Sequence, residues 1–197
     1  MSEKLINSQN KSEKSAAGSF LWELVKIVII AAIIIVPIRF VVAQPFSVKG
    51  DSMEDSFSNY DYLIVDQISY RFDEVERGDV VVFRFPRQPS EYYIKRVIGL
   101  PGETVKIENG QVYICNDANP ECVQLDEPYL SPHERTPGSK VVEVGPESYF
   151  VMGDNRNASS DSRSWGTLPY EYIIGKVMLR AWPFSEFKLI EQPVYNM

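Results

Sequence analysis

A single histidine, His133, stands among the 197 residues, and it lies in a Ser-Pro-His-Glu-Arg-Thr-Pro-Gly stretch whose composition marks a loop. A Ser-His-Asp triad built on it would have no strand or motif to hold it, and a metal site needing two imidazoles from the chain is excluded. The sharp turn that presents many hydrolase nucleophiles needs Gly-x-Ser-x-Gly, and Ser52 in Gly50-Asp51-Ser52-Met53-Glu54 lacks the second glycine. What remains is Ser-Lys chemistry, in which a lysine amine takes the proton of a serine hydroxyl. Such a lysine must be available neutral near pH 7. It therefore has to be buried among apolar groups that pull its pKa down from about 10.4.

Of the ten lysines, Lys95 is the best placed. In Tyr92-Tyr-Ile-Lys-Arg-Val-Ile98 the alternation of a strand puts Tyr93, Lys95 and Val97 on one face, so that an aromatic ring and a valine flank the amine. The plainer alternative is a strand lysine whose ammonium snorkels out to water. Lys49 is weaker, because it lies three residues before Ser52 and an extended chain would turn the two to opposite faces.

The elements that must hold these residues are strands. Residues 61–66, 79–85, 92–98 and 172–181 are β-branched and aromatic runs separated by turn chemistry. The clearest local signal spans 104–115, where two apolar alternations flank Asn109-Gly110, a pair suited to a two-residue hairpin turn. The expected fold is mainly β, an antiparallel domain over residues 43–197 without internal repeats.

Residues 20–42 differ in kind. They form a nearly continuous apolar stretch with charges only near its ends, Glu23, Lys26 and Arg39, and predict a membrane-spanning helix. A cleaved secretory leader ending at Val41-Val42-Ala43 and a buried core helix are the alternatives. Residues 1–19 form a polar tail with Lys4, Lys11 and Lys14, whereas the segment just after the span, to about Gly50, offers only Lys49. The positive-inside rule places the tail in the cytoplasm and the β domain on the outer face. Residues 1–42 carry a net charge of +2, so the rest of the chain carries −9, which argues against a broad electrostatic grip on nucleic acid. Cys115 and Cys122 enclose Asn-Asp-Ala-Asn-Pro-Glu and, in an exported domain, read most simply as one disulfide. Two free thiols are the alternative, and a zinc site is weaker still.

Four ordered blocks carry a resemblance. Gly50-Asp51-Ser52-Met53 with Ser56; Gly78 to Phe83; Tyr93 to Glu103; and Met152-Gly153-Asp154-Asn155-Arg156 continuing through Ser159, Asp161, Ser162, Arg163, Trp165 and Gly166 together resemble type I signal peptidases, over about Phe20 to Pro183. The resemblance implies a membrane-anchored Ser-Lys endopeptidase that removes signal peptides from secretory preproteins after a small residue, with membrane lipid as its setting, no nucleic-acid partner and no cofactor or metal. It implies Ser52 as nucleophile, with its own N–H in the oxyanion site, and Lys95 as general base. Ser159 would position the lysine, Asp161 and Arg163 would form a supporting ion pair, and Asp154 would brace the site. Some relatives carry a hydroxyl two residues before the nucleophile, where this chain has Gly50. An apolar patch resting on the bilayer is also implied, for which Phe46, Phe57 and Trp182 are candidates.

The chain departs from the pattern after Met53. The family has proline where Asp55 stands, which removes a fixed φ beside the nucleophile. Glu54 and Asp55 would also favour the charged form of a nearby lysine, so the expectation is a pH optimum higher than is usual for relatives. The same departure keeps open an impaired, membrane-tethered binding protein as the alternative to an enzyme.

Overall fold

The structure is a computed structural model that describes residues 20, 22–33, 35, 43–193 and 195. The chain divides into two units, Met1–Val42 and Ala43–Met197. In the first, residues 22–33 form a helix, α1, with Trp22, Ile27, Val28, Ile30 and Ile33 all exposed and Glu23 accepting a 3.0 Å bond from Lys26. Among the described residues no helix is long and apolar enough to cross a membrane. Part of the predicted 20–42 span, and all of the polar tail 1–19, lie outside the described residues.

The second unit is built of antiparallel strands. The larger sheet holds β1 (Ala43–Ser47), β2 (Tyr62–Asp66), β3 (Val80–Phe85), β4 (Gln88–Gly99), β9 (Ser148–Met152), β10 (Leu168–Pro169), β11 (Ile173–Trp182) and β12 (Lys188–Leu189). Its order is β1-β2-β11-β3-β4-β9-β10, with β12 added on β11. A four-stranded sheet contains β5 (Thr104–Glu108), β6 (Gln111–Asn116), β7 (Asn119–Gln124) and β8 (Lys140–Glu143) in the order β7-β6-β5-β8. The predicted hairpin is present, with Asn109 and Gly110 both at positive φ, 54° and 79°. Cys115 and Cys122 are joined by a disulfide that ties β6 to β7.

Strand composition follows position. Central β3 is buried on both faces from Val80 to Phe83, which is why it reads as a continuous apolar run, whereas β2, β5 and β6 alternate and bury one face. Val105, Ile107, Val112 and Ile114 of the small sheet pack with Ile98, Phe150 and Met152 of the large one, so one core joins the two. A second core, of Val48, Met53, Phe57, Leu63, Val65 and Val80, lies under the turn that carries Ser52.

At β11 the backbone comes very close to its neighbour. A Cβ on Gly175 would stand 2.0 Å from the carbonyl oxygen of Asp66, at a register shift in the pairing with β3. Gly175→Ala is expected to destabilise the domain by roughly 1–3 kcal/mol, the usual cost of forcing extra volume into a packed site. A lowered urea midpoint with unchanged m-value would show it, and an unchanged midpoint would refute it.

Candidate active site

Two loops and one strand converge. Lys95 lies on β4 paired with Val81 of β3, and its neighbour Arg96 pairs with Met152 of β9, so the chain leaving β9 at Gly153 does so beside the lysine. The turn after β1 brings Ser52 from the other side. Lys95 is 3% exposed, and its Nζ donates to Ser52 Oγ at 2.7 Å and to the Ile94 carbonyl at 2.8 Å. The Tyr93 ring centroid is 5.5 Å from Nζ and Val97 is buried, so the amine is enclosed rather than snorkelled. Burial pulls the Lys95 pKa down to about 8 against the opposing pull of the Asp161 and Asp154 carboxylates, with Arg163 assisting the depression.

The loop after β9 is fixed through its backbone. The Gly153 N–H donates to Asp161 Oδ2 at 3.1 Å, and its carbonyl accepts from Arg156 Nε at 3.0 Å. The Asn155 N–H donates to the Ser52 carbonyl at 3.1 Å, which joins this loop to the Ser52 turn. Asp161 caps the short helix α2 (Ser162–Trp165), accepting from the Arg163 N–H at 3.2 Å, and also takes the Arg163 guanidinium bidentately at 2.8 Å on each oxygen. Burial pushes the Asp161 carboxyl up, but the Arg163 guanidinium together with its other hydrogen-bond donors holds it below its ordinary value. The pair is almost entirely out of water, unlike a solvated surface pair. Ser159 Oγ is buried with no hydrogen-bond partner among the described residues.

Asp154 is fully buried and holds Arg96 Nε at 2.9 Å and Nη2 at 2.6 Å. Arg96 also reaches the Gly78 carbonyl at 2.9 Å and Ser56 Oγ at 3.3 Å, and stacks 4.0 Å from the Tyr129 ring centroid. It thereby joins both loops to the sheet. The sequence pattern assigns no role to Arg96 or Arg156; the one signal it offers is an arginine beside the lysine in an apolar strand. Arg156 is held by Glu127 and Thr136, residues in a loop that showed no pattern at all.

Other predicted residues fall in varied places. Gly50 adopts φ 90° and donates its N–H to Asn59 Oδ1, with open space where a side chain would stand. Lys49 is exposed at the rim of the groove described below, and His133 is exposed on a loop. Phe57 is 2% exposed and belongs to the core, so it cannot rest on a bilayer, while Phe46 is half-buried. Of these three, Trp182 is the one exposed, 50% accessible and edge-on to the Phe184 ring. Asp55 adopts φ 83°, which proline cannot, and its carboxylate accepts from Ser131 Oγ at 3.0 Å. The carboxylates that act on Lys95 are Asp161 and Asp154, so the high pH optimum expected from Glu54 and Asp55 loses its cause.

A groove of about 780 Å³ runs from Ser52 and Lys95 along β1 and β4, walled by Phe46, Val48, Leu63, Val82 and Ile94. A serine hydroxyl paired with a desolvated amine, at one end of an open apolar groove, can perform nucleophilic acyl transfer on an extended chain. Comparison with known proteins gives that chemistry a family. The signal peptidase, peptidase S26 family matches residues 21–182. A probable signal peptidase I-2 of Synechocystis sp. is 34% identical over 198 residues, covering 96% of this chain and 86% of its own. Signal peptidase I of Leptolyngbya laminosa is 37% identical over 194 residues, covering 94% and 92%. Signal peptidase IB of Staphylococcus aureus is 34% identical over 187 residues, covering 85% and 93%. With a match of this extent the chain belongs to the signal peptidase family, peptidase S26, and is a serine peptidase.

A Cβ on Gly153 would stand 2.3 Å from both the Ser52 carbonyl oxygen and Ser159 Oγ. Gly153→Ala must therefore push the loop off the Ser52 turn. A loss of about 10²-fold in peptidase activity is expected from a displacement near 1 Å, with the fold retained by circular dichroism; activity within twofold of the intact chain would contradict the geometry.

Proposed function

We propose that the chain cleaves signal peptides from secretory preproteins after a small residue, with Ser52 as nucleophile and Lys95 as general base. The observation that carries this reading is the 2.7 Å contact of a 3%-exposed lysine amine with the Ser52 hydroxyl. The neutral Lys95 amine takes the Ser52 proton as Oγ bonds to the substrate carbonyl carbon. The resulting ammonium then delivers that proton to the departing amine as the peptide bond breaks, leaving an acyl-enzyme. Lys95 next draws a proton from water as the water oxygen attacks the ester carbon, and returns that proton to Ser52 Oγ as the C–Oγ bond breaks and the product acid leaves. The oxyanion is met by the Ser52 N–H; the hydrogen bonds of the turn use the amides of Glu54, Ser56 and Phe57, not that of Ser52. Gly50 adds no hydroxyl donor. Ser159 and the Asp161–Arg163 pair hold the wall against which Lys95 rests, and Asp154 braces it through Arg96.

Side chains before the cut pack against the apolar part of the groove, Val48, Leu63, Val82 and Ile94, where shape selects among them, while Lys49, Asp51 and Glu91 also line the groove. Residues 20–42 tether the domain as a single membrane span, with residues 1–19 cytoplasmic and residues 43–197 outside. The apolar composition of the span, the lysines preceding it and the exposed apolar side chains of α1 support this. The contact with lipid extends to Trp182 and Phe184. A binding protein without turnover loses its motive, because Asp55 is turned to Ser131 and the Ser52–Lys95 pair is formed.

Cleavage of a preprotein with a small-x-small site, in detergent or liposomes, tests the assignment. Ser52→Ala and Lys95→Ala should each lose at least about 10³-fold in rate, and retention of activity by either would overturn it. The base works only when deprotonated, so kcat/KM should rise with pH through about 8 and level off above. A profile flat from pH 6 to about 9 would remove Lys95 from the role.

A further inference from the structure

We infer that Glu127 is a positioning residue for the Ser52–Lys95 pair, acting through Arg156 on the carbonyl of Gly153 and so on the loop that carries Ser159. The inference rests on the Ser-Lys reading and extends it to a segment that touches neither catalytic residue. The loop between β7 and β8, which belongs to the small sheet, sends several side chains towards the catalytic loop, and Glu127 and Thr136 among them meet at Arg156.

The Arg156 side chain is fully buried, and all three of its nitrogens are engaged. Nη1 donates to Glu127 Oε2 at 2.9 Å and to Thr136 Oγ1; Nη2 donates to Glu127 Oε1 and, at 3.4 Å, to the Tyr129 hydroxyl; Nε donates to the Gly153 carbonyl at 3.0 Å. A guanidinium is a rigid planar fork, so two donors fixed on one carboxylate fix the direction of Nε. Gly153 is thus clamped from both sides, its N–H by Asp161 and its carbonyl by Arg156. No side chain fits between it and its neighbours, since a Cβ there would meet the Ser52 carbonyl and Ser159 Oγ at 2.3 Å. A shift at Gly153 is passed directly to the nucleophile turn and to the wall that keeps water from Lys95.

An ion pair that served stability alone would lower the unfolding midpoint and leave the rate per folded molecule unchanged. A positioning pair changes how the folded enzyme works. The groups facing the Lys95 amine are Ser52, the Asp161 and Asp154 carboxylates and the Arg163 guanidinium. If the loop loosens, water reaches the amine and its pKa climbs towards the ordinary lysine value.

The test uses the full-length chain in detergent with the preprotein substrate, with rates expressed per folded molecule from the near-ultraviolet circular dichroism amplitude. Glu127→Gln is expected to lower kcat by about 10-fold to 10²-fold with KM changed less than twofold, and to move the acid limb of kcat/KM upward by half a pH unit or more. Glu127→Asp, which keeps the charge, should recover most of the rate. A folded Glu127→Gln with the rate and acid limb of the intact chain overturns the inference. If Glu127→Gln does not fold, Arg156→Lys carries the test, because it keeps a charge against Glu127 and gives up the fixed bond to Gly153; an unmoved acid limb there is equally fatal. Ser52→Ala separates the two levels. An intact chain that does not cut, or a Ser52→Ala chain that still does, defeats the Ser-Lys reading, whereas Ser52-dependent cleavage indifferent to Glu127 defeats only the positioning role.

Discussion

Everything around the site answers to one constraint, the removal of the Lys95 amine from water. An amine whose pKa falls from the ordinary value near 10.5 to about 8 binds its proton less well folded than unfolded. Burying it therefore weakens folding at pH 7 by about 3 kcal/mol. That penalty is complete below about pH 8 and shrinks as pH rises through 8 towards 10.5, because across that window the unfolded chain holds more proton than the folded one. The Asp161 and Asp154 carboxylates pull the other way; burial outweighs them, and Arg163, which binds Asp161, adds to the depression, while Arg96 holds Asp154.

This pairing explains why so many ions sit in the interior near one serine. Arg96–Asp154, Arg163–Asp161 and Arg156–Glu127 are each paired through two hydrogen bonds, and each also touches backbone or a second loop. Buried pairs of this kind contribute little net stability, but they direct the loops they hold. The strand contributes rigidity. Lys95 and Arg96 are successive residues facing opposite ways, one towards the reaction and the other into the bracing network, so a slip of one residue in β4 would exchange their places.

The sequence carried the local part of this arrangement well. Alternation in β4 places Tyr93 and Val97 beside Lys95, the Asn109-Gly110 pair specifies its hairpin, and the β-branched run over 79–85 marks a strand. The ordered blocks singled out Ser52 and Lys95 as the pair to examine. What could not be read were pairings between residues far apart in the chain. Arg96 with Asp154, Arg156 with Glu127 and Asp55 with Ser131 are joined across 58, 29 and 76 positions, and no periodicity encodes such contacts. Phe57 belongs with them, since an aromatic ring beside a turn looks the same in sequence whether the turn lies on the surface or over a core. Asp55 was judged by its charge, whereas its backbone angle and its bond to Ser131 decide its effect.

The order of strands in the large sheet carries one more consequence. β11, made of residues near the end of the chain, lies between β2 and β3, and Ile190 packs beside the core under the Ser52 turn. During synthesis the first half of the domain emerges without its middle strand. The turn that holds Ser52 and the strand that presents Lys95 are joined within one sheet only once β11 has taken its place between β2 and β3. The pairing of the Ser52 hydroxyl with the Lys95 amine is thus a property of the assembled sheet rather than of the segments that carry the two residues.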